Sequence, residues 1–285
     1  MGRFDSTWNW RMCRRHVLAA LWVFLLVGGV PAMSAGERIS DPETLLANGD
    51  FVTRGRSFLQ VHAWRGSVAV AGIDSILSGR YRAVTRLCDL LETSPPPSVH
   101  VFFYPDEATK LAQTGHRGLG WGVGTTVIEV RNDSISVDPY HELAHIVLYQ
   151  MGSPPAIWDE GFAVYASARL GADALQLLGY PGATIDEALM RHLTGKEPYP
   201  WQELAALDEI GNASDVVLAY LQSASFVNFV ATEFGDESLR DILSAVAKDT
   251  PRDPLERSNA ALRSSLGRSG SEVWTRWRIR MERNR

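Results

Sequence analysis

Five consecutive residues, His141-Glu142-Leu143-Ala144-His145, carry the chemistry most readily read from this chain. On a helix, residues four apart share one face, so both imidazoles aim at one point and can hold one Zn²⁺. Glu142 flanks that face, placed to act as general base on the water such an ion activates without being a ligand itself. A catalytic zinc commonly keeps three protein donors and one open position. Glu160, fifteen residues beyond His145, is the candidate third donor. The competing reading for the pair is a solvated helix that carries two histidines by accident; for Glu160 it is an acid favoured by a helix dipole. Ligation is preferred because two imidazoles alone leave the ion short of a donor. Asp159, turned about a hundred degrees around the helix from Glu160, reads instead as a hydrogen-bond partner for the backbone or for a ligand histidine.

The elements needed to position these residues are present. Asp138 is a natural N-cap and Pro139 a natural first helical residue. Leu143, Val147 and Met151 form an apolar stripe, and Gly152 stops the helix with Pro154 and Pro155 just beyond. A second helix starts near residue 157 and folds back, with Glu160 in its first turn. Upstream, 36–50 reads as a weakly ordered lead-in, 51–64 as one or two strands, and 72–93 as an amphipathic helix. Strands follow at 99–104, 125–131 and 134–137, with a short helix at 106–113. Beyond Glu160 the strand signal ends, and helices are expected at 183–194, 201–207, 214–233, 236–248, 254–265 and 271–284. The fold class is α+β: a mixed-sheet N-terminal half over 36–152 carrying the metal helix, and an all-α half over 153–285 supplying the third ligand. The active site is expected in the cleft between them.

His141–His145 together with Trp158-Asp159-Glu160-Gly161-Phe162-Ala163 resembles the gluzincin metallopeptidases, and among them the small bacterial peptidase MA-like proteins. The resemblance spans residues 60 to 280, although only the two metal-binding segments are diagnostic. It implies a zincin-like fold, one Zn²⁺ per chain held by His141, His145 and Glu160, Glu142 as general base, and a peptide or protein substrate. Trp158 stands one position closer to Glu160 than the family pattern. The Gly-x-Met-Glu-Asn segment with which zinc aminopeptidases grip a substrate amino terminus is missing; Gly118–Gly124 occupies its place. Tyr220 falls near where those enzymes put an oxyanion-stabilising tyrosine, which makes it the second catalytic candidate beside packing on an amphipathic helix.

Other features carry less. The alternating glycines of 118–124 lack the Lys-Ser/Thr of a phosphate loop, leaving a flexible hairpin or a rim loop beside an edge strand that an extended peptide would join. His62, His100, His116 and His192 show no ligand spacing, and only His116 merits a test as proton donor. Tyr165 and Cys88 read as packing.

Residues 1–35 combine Arg11, Arg14 and Arg15 with an apolar run over 17–30, a signal peptide or, uncleaved, an N-terminal membrane tether. Export to the periplasm or cell exterior is expected. Removing the four Arg and one Asp of this segment takes the net charge from −5 to −8, which argues against nucleic acid as partner. Cys88 is then the one remaining cysteine, so no internal disulfide forms and the core must carry stability. The leading function is a zinc peptidase. The rival is a metal-stabilised binding or assembly protein on a peptidase scaffold. A di-iron enzyme ranks last, because Glu142–His145 is the single Glu-x-x-His pair. Oligomeric state stays open.

Overall fold

The computed structural model describes residues 39–248 and 253–283; the signal segment expected over 1–35 lies outside them. In chain order the elements are α1 (Pro42–Asn48), β1 (Phe51–Arg56), β2 (Leu59–Trp64), α2 (Val68–Ala71), α3 (Ile73–Leu91), β3 (Val99–Tyr104), α4 (Glu107–Thr114), β4 (Gly120–Val123) and β5 (Thr126–Val130). There follow α5 (His141–Leu148), a 3₁₀ turn (Tyr149–Met151), α6 (Ala156–Arg169), α7 (Ile185–His192) and α8 (Trp201–Leu204). After a second 3₁₀ turn (Ile210–Asn212), α9 (Val216–Phe234), α10 (Asp236–Lys248), α11 (Pro254–Leu266) and α12 (Gly270–Arg283) complete the chain. Among the described residues no helix is long and apolar enough to cross a membrane.

The strands form one mixed sheet in the order β1-β2-β3-β5-β4. β1–β2 and β4–β5 are antiparallel, while β2–β3 and β3–β5 are parallel. Strand periodicity then sorts side chains between two faces. Val99, Val101 and Phe103 of β3 face the main core, which runs without a break from Leu59 in the sheet to Met281 in α12. Phe102, Tyr104, Ile128 and Leu45 form a small second core on the opposite face. That second core explains α1, which the sequence reading took for a weakly ordered lead-in. Asp41 caps it by accepting from Thr44 N at 2.8 Å, and Leu45 is its one fully buried residue. One anchor in seven residues leaves no periodicity to detect.

α3 buries Leu77, Arg80, Val84, Leu87 and Leu91 along one stripe, and Glu92 in the left-handed region ends it. One further expectation is corrected: residues 134–137 make one isolated bridge, Arg131 to Ser136, and no strand. Of the two readings of 118–124, the structure has the hairpin: β4 is an edge strand that pairs antiparallel with β5, its strand signal hidden by glycines in place of side chains.

Candidate metal centre

α5 is buried along nearly its whole length, with Leu143, Ala144, Ile146, Val147 and Leu148 at or below 1 % exposure. It begins two residues later than its cap residues suggest. Asp138 Oδ1 accepts from Tyr140 N at 2.7 Å, turning the chain, and Tyr140 O takes the first helical bond from Ala144 N. Asp138 and Pro139 therefore belong to the approach turn. Gly152, at φ 132°, ends the 3₁₀ extension of this helix as expected.

Pro155 starts α6 by accepting from Trp158 N and Asp159 N. The helix starts at Ala156, one residue earlier than expected, which moves Glu160 just past its first turn. Glu160 Oε2 stands 3.4 Å from His141 Nε2 and 3.5 Å from His145 Nε2. The two imidazoles are set edge-on, with ring centroids 5.1 Å apart and planes at 80°. Donors about 2.1 Å from one zinc at the tetrahedral angle lie about 3.4 Å from each other. The observed spacing fits that requirement. Glu160 Oε2 is also buried with no hydrogen-bond partner, and the three donor atoms all lie within 4.8 Å of one another. A donor set of two imidazole nitrogens and one carboxylate suits zinc.

Behind the donors, His145 Nδ1 meets Asp159 Oδ1 at 2.6 Å, and Tyr149 OH donates to Asp159 Oδ2 at 2.8 Å. A proton held on Nδ1 leaves the lone pair of Nε2 free to bind an ion on the side where Glu160 lies. Burial works against charge on His145, but the Asp159 and Glu160 carboxylates outweigh it and lift its pKa to about 10. His141 is likewise raised, against the effect of burial, by Glu160 and Glu142. Burial alone would raise Glu160, yet the two imidazoles pull it down. Loading a cation here therefore expels protons.

Glu142 is almost buried, at 9 % exposure, and lies against β4. A Cβ on Gly120 would come within 2.2 Å of Glu142 Oε1, and one on Gly122 within 2.6 Å of the Glu142 carbonyl oxygen. Only glycine lets the edge strand approach the carboxylate this closely. Tyr220, on α9, is brought to the same place. Burial, together with the nearby Glu160 and Glu142 carboxylates, raises its pKa well above the ordinary value. The close crossing of α6 and α9 makes this possible, since a Cβ on Gly161 would sit 2.8 Å from Ser223 O.

His116 is not brought in. It stacks on Trp121 with centroids 4.6 Å apart, and Trp121 alternates with Gly120 and Gly122 onto the opposite face of the sheet. Three groups escaped the sequence reading. Buried Lys110 donates to His116 O at 3.1 Å and Gly118 O at 3.0 Å, fixing the turn into β4, and burial pushes it down to about 8. Buried Arg80 and Glu129 pair beneath the start of α5. Glu129, as the lone charge inside a strand, and Arg80, interrupting an apolar stripe, were the available signals.

No family model matches the chain, and no curated protein matches it in sequence. Solved structures do match. A two-domain M1 zinc metallopeptidase variant bound to L-arginine superposes with TM-score 0.54 at 16 % identity, over 80 % of this chain and 51 % of that one. An M1 zinc metallopeptidase variant from Deinococcus radiodurans bound to a Tyr-ser-ala substrate gives 0.53 at 16 % identity, over 80 % and 51 %. The M1 zinc metallopeptidase from the same organism gives 0.53 at 17 % identity, over 85 % and 51 %. The chain thus spans about half the length of these proteins, and the likeness is one of fold: α+β and zincin-like.

Proposed function

We propose that this chain is a zinc-dependent peptidase of the gluzincin type, with His141, His145 and Glu160 as ligands, Glu142 as general base and Tyr220 as oxyanion donor. The observation that carries the reading is the unpartnered, buried Glu160 Oε2 nearly equidistant from two Nε2 atoms, with Glu142 next to His141 in the chain. When bound, zinc supplies Lewis acidity that polarises a carbonyl and acidifies a water. Glu142 takes the proton of the attacking water and delivers it to the leaving nitrogen. The Tyr220 hydroxyl donates to the charge that develops on the carbonyl oxygen. Asp159 keeps His145 oriented throughout. β4 ends the sheet, so its open edge offers backbone groups to an extended peptide. Peptide substrates are further supported by the Tyr-ser-ala substrate held by a neighbour of the same fold.

The site would belong to an exported protein, cleaved or tethered through residues 1–35, with an N-terminal α+β part and a helical part from residue 153. One observation favours the rival binding-protein reading: where zinc aminopeptidases carry a substrate-gripping segment, β4 presents glycines. Glu142→Gln separates the two. A peptidase loses about 10²–10⁴-fold in kcat while keeping its metal. Unchanged hydrolysis by that variant would sink the mechanism, and a wild type that loads zinc but cleaves no member of a peptide library would favour the rival.

A further inference from the structure

Directly under the start of α5 lies a buried ion pair that touches none of the donors. Arg80 reaches across from α3 and is 4 % exposed; Glu129 lies on β5 at 0 %. One arm of the guanidinium pairs with Glu129 Oε2. The other donates to Pro139 O at 3.0 Å, with Asp138 O at 3.5 Å. These carbonyls belong to the turn that ends at Tyr140, one residue before His141. Glu129 sits in register with Gly120 on one side and Phe103 on the other. Gly120 is the glycine that Glu142 packs against. The pair thus spans the helix α3, the sheet and the approach turn of α5.

Stability does not account for it. A buried ion pair is often no better than apolar residues of the same volume, and here satisfaction is incomplete. Glu129 Oε1 and Asp138 Oδ2 are both buried without hydrogen-bond partners. Burial pushes the Glu129 carboxyl up to about 7 against the pull of Arg80, with Glu142 and Asp138 adding to the rise. The fold tolerates this cost at the one turn that sets the starting point of α5.

We infer that Arg80 and Glu129 are positioning residues for the proposed reaction: the Arg80 fork, held by Glu129, fixes the 138–139 carbonyls and so fixes where His141 and Glu142 stand relative to Glu160 and β4. The inference rests on the peptidase reading. A guanidinium suits the task because its planar fork bonds two partners at fixed angles, which an ammonium does not.

The test uses the double variant Arg80→Met/Glu129→Leu, which removes both charges while retaining apolar volume, and the single variant Arg80→Lys. Thermal stability, zinc affinity by chelator competition, and kcat and KM at saturating zinc are measured on each. The double variant is expected to melt at or above the wild-type temperature, to bind zinc about tenfold or more weakly, and to lose about 100-fold in kcat with KM little changed. Arg80→Lys keeps a charge opposite Glu129 but not the second arm, and its kcat is expected to fall in the same direction. If the double variant does not fold, Arg80→Lys decides by itself: wild-type kcat and zinc affinity in it overturn the inference. A folded double variant with wild-type kcat and zinc affinity overturns it equally, making the pair merely structural. A wild type that binds no zinc overturns the peptidase reading itself, a result distinct from either.

Discussion

Among the described residues two pairs of histidines meet, and they could hardly be used more differently. On the outer face of the sheet, His62 Nε2 meets His100 Nδ1 at 3.1 Å, with rings 5.4 Å apart and nearly parallel. Thr53 Oγ1 closes one end of that chain at 2.9 Å and Ser98 Oγ the other, also at 2.9 Å. Every ring nitrogen is partnered, and the bonds run in one direction only if both rings are neutral. In the core between sheet and helices, His141 and His145 send both Nε2 atoms toward one carboxylate oxygen that has no other partner. Burial lowers His62 to about 4, whereas carboxylates raise His145 to about 10. Proximity of histidines therefore does not make a metal site. Convergence of unspent donors on a point does, backed by acids that favour positive charge there.

The hydroxyl groups beside each pair sharpen the contrast. Thr53 and Ser98 only complete a hydrogen-bonded chain, while Tyr220 lies on the donor side of its pair. Tyr220→Phe is expected to lower kcat by about 10²–10³-fold with zinc content unchanged, because one oxyanion donor is lost. Steady-state kinetics on a cleaved peptide checks it, and a wild-type kcat would reassign Tyr220 to packing.

The outer pair should be visible in stability alone. His62 has an ordinary pKa of 6.5, lowered to about 4 in the fold first by burial and then by His100. Between those values the unfolded chain takes up a proton that the folded chain refuses. Its contribution is thus complete above pH 6.5 and is lost as pH falls toward 4, by about 3 kcal/mol in all. Denaturant titrations from pH 7.5 to 4 should show that slope in wild type and a flatter one in His62→Gln; equal slopes would contradict the neutral-pair description.

Asp159→Asn acts on the other pair. It weakens the hold on the Nδ1 proton of His145 and is expected to cost about 10–100-fold in zinc affinity. Tyr149→Phe, one bond further out, should move affinity the same way but less, and an order of effects reversed between the two would break the proposed chain from Tyr149 through Asp159 to His145.

Legibility from sequence followed the same divide. His141 and His145 were readable because helical spacing converts directly into a shared face; Glu160 was readable because two imidazoles leave an ion short of a donor and the prolines at 154 and 155 fold the next helix back, and Asp159 followed from its offset by one residue. Of the helices beyond residue 183, those at Ile185–His192, Asp236–Lys248, Pro254–Leu266 and Gly270–Arg283 were readable from their apolar stripes, whereas the helix expected at 201–207 is the single turn Trp201–Leu204. Features set by tertiary approach were hidden. β4 has glycines where a strand normally declares itself, since Glu142 leaves no room for a Cβ on Gly120. The true start of α5 depends on Arg80, sixty residues upstream, gripping a turn whose Asp138 and Pro139 look like the helix itself. The His62–His100 pair joins two strands 38 residues apart, and no local pattern links them.

The most direct test of the contrast is zinc content by mass spectrometry on protein purified without chelator, compared for wild type, Glu160→Ala and the double variant His62→Gln/His100→Gln. One zinc per chain in wild type and in the His62/His100 variant, with zinc lost or much weakened in Glu160→Ala, is the expected result. No zinc in wild type even after its addition, or zinc that disappears with His62 and His100 while surviving Glu160→Ala, would contradict it.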